Sequence, residues 1–399
     1  MADPPRERQE DGPVTLAARP TIPARTYAAR IARAAEVAAE RGIEALLIGV
    51  GSDLRYLTGY EAMPLERLTM LAIVPGDGGT RLFVPRLEEP AARAGCRTEL
   101  SIETWEETDD PHAAVAAFVV SRREHGAIRV GVSDVLPAMH LLRLQRALPG
   151  AGFELASVVL RDLRMVKDRD EVALLRLAAR AADRVVEQIA TGPLVGRTEA
   201  DVADEVRRRL VAEGHDEAHF AIVASGPNAA SPHHDASDRV IRAGEPVVLD
   251  IGGTLGGYGS DITRTLWVTG DDPANGPDEE FRHLFGVLRT AQERATEAAR
   301  PGVACEAVDA VARDLISAEG YGEAFFHRTG HGIGLEGHEH PYLVAGNREP
   351  LAPGMAFSIE PGIYLAGRYG ARIEDIVVCG PDGPIVLNEA SRDLWIVDG

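Results

Sequence analysis

Lysine is almost missing from this chain of 399 residues: of its 42 lysines and arginines, only Lys167 is a lysine. That excludes a Walker-type phosphate loop, which needs a lysine after its glycines. It also leaves Lys167 as the one side chain able to carry a Schiff-base cofactor. Cysteine is scarce as well. Cys96, Cys305 and Cys379 are odd in number and far apart, which argues against a disulfide framework and a cysteine-rich zinc site. No charged segment followed by an apolar stretch opens the chain, and no run approaches the roughly 20 apolar residues of a membrane span. Positive charge is in deficit: the formal net charge is −20 and the pI about 5.1. Nucleic acid and anionic membrane surfaces are therefore poor partners. The expectation is a soluble cytoplasmic protein.

What is present suits a large core and two domains, with 45% of residues hydrophobic. Residues 1–23 are rich in Pro, Arg and acidic residues without periodicity and read as a disordered tail. Residues 24–160 alternate helical and strand-like patterns. A helix is expected over Tyr27–Arg41, a strand over Ala45–Gly49, then a loop, SDLRYLTGY. Strands at Leu71–Val74, Arg81–Val84 and Arg129–Val132 and a helix at Pro111–His125 complete a small α/β domain. No catalytic constellation is visible within it.

The second domain, residues 161–399, opens with Asp168 followed three residues later by Glu171, a capping-box start. Val172, Leu175, Ala179, Ala182, Val186 and Ile189 then form a helical stripe. A second helix runs from the N-cap Thr198 to Gly214. The arrangement repeats with helices at about Asp278–Ala299 and Glu306–Ala318. Asp168 precedes Asp250 by 82 residues, and Asp278 precedes Glu360 by 82. Gly244 and Gly354 each stand six residues before those carboxylates. This is an internal duplication of a helix–helix–hairpin unit, offset by about 110 residues. It predicts a pseudo-two-fold sheet with outer helices and carboxylates meeting at the centre.

Each hairpin carries two acids. In EPVVLDIGGTLGGYGSDITRTLWV, a turn centred on Leu255 and Gly256 sets Asp250 opposite Asp261. In the second copy Glu360 ends the run Ala356–Ile359, and Glu374 lies in ARIEDIVV. Between the hairpins, HRTGHGIGLEGHEHP holds His327, His331, His338 and His340 among four glycines, too many for a helix. One aspartate in a strand is ordinarily an edge residue, but facing carboxylates are costly to bury without a cation. Four carboxylates and one imidazole balance two divalent ions. Oxygen-rich ligation favours Mn²⁺, with Co²⁺, Fe²⁺ or Zn²⁺ admitted through the imidazole. A two-metal centre holds a bridging hydroxide near neutral pH and polarises a carbonyl, which is hydrolysis.

In LDIG…YGSDITRT, HRTGHGIGLEGHEHP, SIEPGIY and RIEDIVV, the chain resembles the pita-bread metallopeptidases of the Xaa-Pro dipeptidase (prolidase) and aminopeptidase P branch. YLTGY and LRMVKDRDEVALLR resemble the creatinase-like N-terminal domain and its junction. The resemblance implies an α/β (α+β) architecture, a small α/β domain followed by a pita-bread domain with a curved, mostly antiparallel sheet. It implies Asp250, Asp261, His331, Glu360 and Glu374 as ligands of two metals, with Asp261 and Glu374 bridging and Glu360 also shuttling a proton. By the same resemblance His233 and His338 contact the substrate carbonyl or tetrahedral intermediate, and His327, Tyr364 and Arg372 support the site. His234 and His340 read as loop residues. The implied substrate is a dipeptide or short peptide with proline second, and the implied assembly a homodimer. Aminopeptidase P activity on longer peptides and hydrolysis of a non-peptide N-acyl amide share these ligands. The full ligand set disfavours a non-catalytic binding module.

Overall fold

The computed structural model describes residues 19–121 and 128–398, and its contacts divide the chain into two units. Of the described residues, those from Thr21 to Arg164 form one; those from Met165 onward, with residues 19 and 20, form the other. Most of the expected N-terminal tail lies outside the described residues. Arg19, near its inner end, donates to the Gly214 carbonyl at 2.5 Å and pairs with Asp216.

The first unit is built on strands β1 (Ala45–Gly49), β2 (Met70–Val74), β3 (Gly79–Pro85), β4 (Ser101–Trp105), β5 (Arg129–Val132) and β6 (Gly152–Leu155). They form one mixed sheet in the order β4-β3-β2-β1-β5-β6. Its helices are α1 (Ala24–Glu40), α2 (Ser52–Thr58), α3 (Glu89–Gly95), α4 (Pro111–Val120), α5 (Ala138–Ala147) and α6 (Ser157–Met165). Strand β1 is buried along its length, between β2 and β5. The stretch expected as a loop, SDLRYLTGY, is instead mostly helix α2. Its Leu54, Tyr56, Leu57 and Thr58 are buried, and Gly59 takes the left-handed C-cap at φ 76°. Seven residues are too few for a helical period to show. The helix expected over Pro111–His125 is capped by Asp110 and runs to Val120; residues 122–127 lie outside the described residues.

The second unit repeats a helix pair and a hairpin. Helices α7 (Arg169–Ala190) and α8 (Glu199–Ala212) precede strands β7 (Glu217–Ser225), β8 (Glu245–Leu255) and β9 (Tyr258–Val268). Helices α9 (Glu279–Ala298) and α10 (Cys305–Ala318) precede β10 (Gly330–Gly332), β11 (Glu339–Leu343), β12 (Ala356–Ile359), β13 (Gly362–Leu365), β14 (Tyr369–Arg372), β15 (Asp375–Cys379), β16 (Pro384–Val386) and β17 (Trp395–Val397). The sheets run β17-β9-β8-β7 and β11-β10-β12-β15-β16, with β13-β14 a ribbon beside them. Pairing is antiparallel apart from β17 on β9. An antiparallel bridge from Thr263 to Glu374 joins the halves. Asp168 and Thr198 both form capping boxes, with Glu171 and Asp201 respectively.

Strands β8 and β9 are buried on both faces. Val247, Leu249, Ile251, Ile262, Leu266 and Val268 pack in one core with Val185, Val186, Ile189, Val206 and Leu210 of α7 and α8. Alternation then turns Asp250 and Asp261 to the other face. The register differs from the expected one: Asp250 pairs with Thr263, and Asp261 with Gly252. The two aspartates are diagonal neighbours on one face, not direct opposites. The cause is the turn. Its central residues are Gly256 and Gly257, at φ 61° and 84°, and a two-residue turn with both values positive is what glycine permits. A turn centred on Leu255 would have forced a leucine into that region.

Gly256→Val should therefore lower stability by about 1–3 kcal/mol. Its φ is positive, and a Cβ there meets Leu174 Cδ2 at 2.9 Å. Urea unfolding at equilibrium checks this, and an unchanged midpoint would contradict the turn assignment.

Candidate metal centre

The second hairpin delivers its acids differently from the first. Ile359↔Asp375 and Gly362↔Arg372 belong to one register, so β12–β13 and β14–β15 are the arms of a single long hairpin. The ladder breaks only where Glu360, Pro361, Ile373 and Glu374 sit. There the Glu360 N–H donates to the Thr329 carbonyl at 2.8 Å, and the Glu374 N–H to the Thr263 carbonyl at 3.1 Å. Each glutamate gives its backbone to a neighbouring strand. Glu374 is thus fixed where the two halves of the unit are stitched.

Five expected ligands converge. Ligand atoms of Asp250, Asp261 and Glu374 lie within 4.8 Å of one another, as do those of His331, Glu360 and Glu374, and those of Asp261, His331 and His338. Asp261 and Glu374 each belong to two of these groups; Asp250 and Glu360 each belong to one. His331 Nε2 is 3.3 Å from Glu360 Oε1 and 3.6 Å from Asp261 Oδ2. Its Nδ1 faces the Gly332 carbonyl at 3.1 Å. A proton on Nδ1 satisfies that bond and leaves Nε2 as a lone pair aimed at the carboxylates, the tautomer a metal ligand needs. Burial, with His338 beside it, drops the His331 pKa to about 3, so the ring is neutral.

The carboxylates are under-satisfied. Thr263 Oγ1 donates to Glu374 Oε2 at 2.7 Å, and Arg372 to Asp250 Oδ2 at 2.5 Å. Asp250 Oδ1, Asp261 Oδ1 and Glu374 Oε1 are buried without a hydrogen-bond partner. They are half of the six such side-chain atoms among the described residues. At the 4.8 Å limit, with an effective dielectric near 20, each like-charge pair costs about 3 kcal/mol. Burial and the neighbouring Asp250 and Glu360 push Asp261 well above the usual carboxylate range. Burial, then Asp261, Glu360 and Asp250, do the same to Glu374. Burial carries Glu360 to about 7. Arg372 is one cation against four acids. Orphaned oxygens facing one another, with a neutral imidazole among them, fit a pair of divalent cations.

These residues share a cleft of about 1090 Å³ whose lining includes His233, His338, His327, Arg328, Phe326 and Phe220. His338 is exposed in it and lies tilted against His331, ring centroids 4.0 Å apart; burial, with Arg328 and His233 nearby, lowers its pKa. Expected to support the site, His327 has both nitrogens engaged within the protein. Nδ1–H donates to the Arg328 carbonyl at 2.8 Å, and Nε2 accepts from the Tyr364 hydroxyl at 2.9 Å. Arg372 in turn donates to that hydroxyl at 2.8 Å, to Thr263 Oγ1 at 3.0 Å and to the Pro232 carbonyl at 3.2 Å. His327, Tyr364 and Arg372 form one chain behind the carboxylates. Outside it, His340 packs tilted against Tyr342 and His234 bonds to Glu199.

Two residues that the sequence did not single out belong to this site. Arg328 lines the cleft with its guanidinium 4.4 Å over the Tyr342 ring, and no carboxylate pairs with it among the described residues. Its signal was adjacency to His327 in HRTGH. Glu199 lies beneath the loop carrying His233; nothing in its sequence context marks it.

Residues 173–381 match the model of metallopeptidase family M24, and residues 30–166 that of the creatinase/prolidase N-terminal domain. The chain belongs to metallopeptidase family M24. It is 47% identical over 377 residues to a probable dipeptidase PepE of Mycobacterium tuberculosis, covering 94% of this chain and 97% of that protein. It is 32% identical to an Xaa-Pro dipeptidase of Pyrococcus horikoshii, over 89% of this chain and 95% of that one. The crystal structure of dipeptidase PepE from Mycobacterium ulcerans superposes with a TM-score of 0.87 at 44% identity, covering 95% of this chain and all of that one.

The raised acids give the metal-free protein a pH signature. Up to about pH 7 Glu360 keeps a proton in the folded chain that the unfolded chain has released by about pH 5.5. Its contribution to the stability of the metal-free protein is therefore lost as pH rises through about 7, while the histidines depressed in the fold pull the other way until ordinary histidines, half charged at about pH 6.5, are neutral. Replacing the acid isolates its share: metal-free Glu360→Gln should gain in Tm on the wild type as pH rises from about 6 to 8. Saturating divalent metal should raise the wild-type Tm. Calorimetry across that range checks it; a Tm difference between the two proteins that does not change with pH would contradict it.

Proposed function

We propose that the chain is a dinuclear-metal-dependent Xaa-Pro dipeptidase. Its substrate would be a dipeptide or short peptide with proline second, cut at the imide bond. The observation that carries the metal reading is the set of orphaned oxygens on Asp250, Asp261 and Glu374. Asp250, Asp261, His331, Glu360 and Glu374 would hold two divalent ions, Asp261 and Glu374 serving as the shared ligands. Mn²⁺ suits so oxygen-rich a set, and Co²⁺, Zn²⁺ or Fe²⁺ also bind through the imidazole. Such ions supply an activated water and Lewis acidity toward the scissile carbonyl.

The protein's own groups do the rest. Glu360 has the most accessible side chain of the four acids, at 15% against 10% for Asp250, 8% for Asp261 and 1% for the Glu374 residue. In this reading it takes the proton of the attacking water at its carboxylate and returns it to the departing proline nitrogen. His233 and His338 stand exposed in the cleft as donors to the oxygen that gains charge. Arg372, Tyr364 and His327 keep Asp250 in place, a positioning role for all three.

Arg328 favours the dipeptidase over aminopeptidase P. A dipeptide ends in a free carboxylate one residue past the scissile bond, and Arg328 is a cleft cation with no carboxylate of its own. Phe326, 63% exposed beside Tyr364, offers the pyrrolidine ring an apolar wall. An N-acyl amide lacking that carboxylate would leave Arg328 unused. The relatives named dipeptidase point the same way. A cytoplasmic homodimer completes the proposal.

Ala-Pro should be cleaved in the presence of Mn²⁺ and a longer Xaa-Pro peptide poorly; the reverse order would replace the dipeptidase with an aminopeptidase P. Arg328→Met should raise KM for Ala-Pro on the order of 10- to 100-fold, the loss of one charged hydrogen bond. Residual activity on longer peptides should be unchanged. Asp261→Asn should abolish turnover in a chain that still folds, and retained turnover would remove its shared-ligand role.

A further inference from the structure

His233 makes no hydrogen bond or ion pair with any described residue, yet it must be held in the cleft to act there. Its neighbours do the holding. On one side the Pro232 carbonyl accepts from Arg372 at 3.2 Å. On the other, His234 Nε2 donates to Glu199 at 2.7 Å. Glu199 sits in the first turn of α8 and is fully buried, with 0% exposure. Its Oε1 accepts from Ser225 N–H and Oγ, both at 2.7 Å, and from Asn228 at 3.0 Å. Oε2 accepts from Ser237 Oγ at 2.7 Å, Ser237 N–H at 3.2 Å and Asn228 at 3.1 Å, besides His234. The same loop's backbone closes the end of the helix: Glu199 N–H donates to the Arg239 carbonyl and Ala200 N–H to that of Ser237, both at 3.0 Å.

We infer that Glu199 is a positioning residue for the reaction: its carboxylate gathers the 225–237 segment so that His233 is presented to the substrate. The inference rests on the role proposed for His233. Every group facing Glu199 is a donor, which only an acceptor on both oxygens can satisfy. Burial alone would raise its pKa, but the donors from Ser237, Ser225 and His234 outweigh burial and hold it at about 2. The carboxylate is therefore ionised through the working pH range. Glutamine at this position brings an NH₂ against the N–H of Ser225 or Ser237, and at least one donor turns away.

Glu199→Gln, compared with wild type, tests this with two readouts. Amide hydrogen exchange should rise at least about tenfold over residues 225–237 and stay unchanged at β9 and β12, whatever the substrate proves to be. Unchanged exchange in the loop overturns the inference. On Ala-Pro, kcat should fall on the order of 10- to 100-fold with KM and bound metal little altered. In a His233→Ala background the same substitution should cost less than about twofold, because both act through one imidazole. A full, additive loss in that background overturns the inference while leaving the dipeptidase reading intact. Absence of wild-type turnover on every Xaa-Pro substrate overturns the dipeptidase reading, and the exchange result still decides whether Glu199 orders the loop. If Glu199→Gln does not fold, Ser237→Ala removes one donor from the same carboxylate and should show the same non-additive loss at smaller size. Additivity there also overturns it.

Discussion

Four carboxylates buried within a few ångströms of one another repel, and one arginine cannot offset four charges. Most of what is unusual in the second unit follows from that constraint. Arg372 is buried despite its charge because it lies against Asp250, and it holds Tyr364 and, through Tyr364, His327. Orphaned oxygens on Asp250, Asp261 and Glu374 are costly unless a cation, or in its absence a proton, takes up their charge. Strands β8 and β9 are buried and the acids keep at most 15% of their side-chain surface exposed to the cleft, so little water relieves the repulsion.

The duplication explains how one chain assembles such a cluster. Each half contributes a helix pair and a hairpin, and each hairpin two acids, but the halves deliver them by different means. The first keeps an unbroken ladder and relies on strand alternation to put Asp250 and Asp261 on one face. The second breaks its ladder at Glu360 and Glu374 and gives those backbones to Thr329 and Thr263. Glu374 consequently belongs to both halves: its N–H is bonded across the seam to Thr263, whose hydroxyl binds its carboxylate.

Much of this was legible in the residues. The capping boxes at Asp168 and Thr198, the four helices of the second unit and the pairing of its halves follow from periodicity and spacing. The convergence of Asp250, Asp261, His331, Glu360 and Glu374 follows from motif resemblance. The turn at Gly256–Gly257 was misplaced by one residue because the five glycines between Asp250 and Asp261 look alike until φ is known. Helix α2 was hidden by its shortness, and β4 by a half-exposed, polar sequence. The engagement of His327 and the convergence on Glu199 are long-range contacts, which no local pattern encodes. The lone lysine falls in the same class. Lys167 is buried in an ion pair with Glu339, next to His338, so the single ammonium of the chain helps to fix the histidine loop.

The central claim is that these five side chains hold two divalent ions. Crystals grown with Mn²⁺ and measured at the manganese absorption edge test it most directly. The account predicts two anomalous peaks about 3.5–4 Å apart, both touching Asp261 and Glu374, one also beside Asp250 and the other beside His331 and Glu360. No peak among these residues at saturating Mn²⁺, or a single peak that leaves Asp250 and Arg372 as they are, would contradict it.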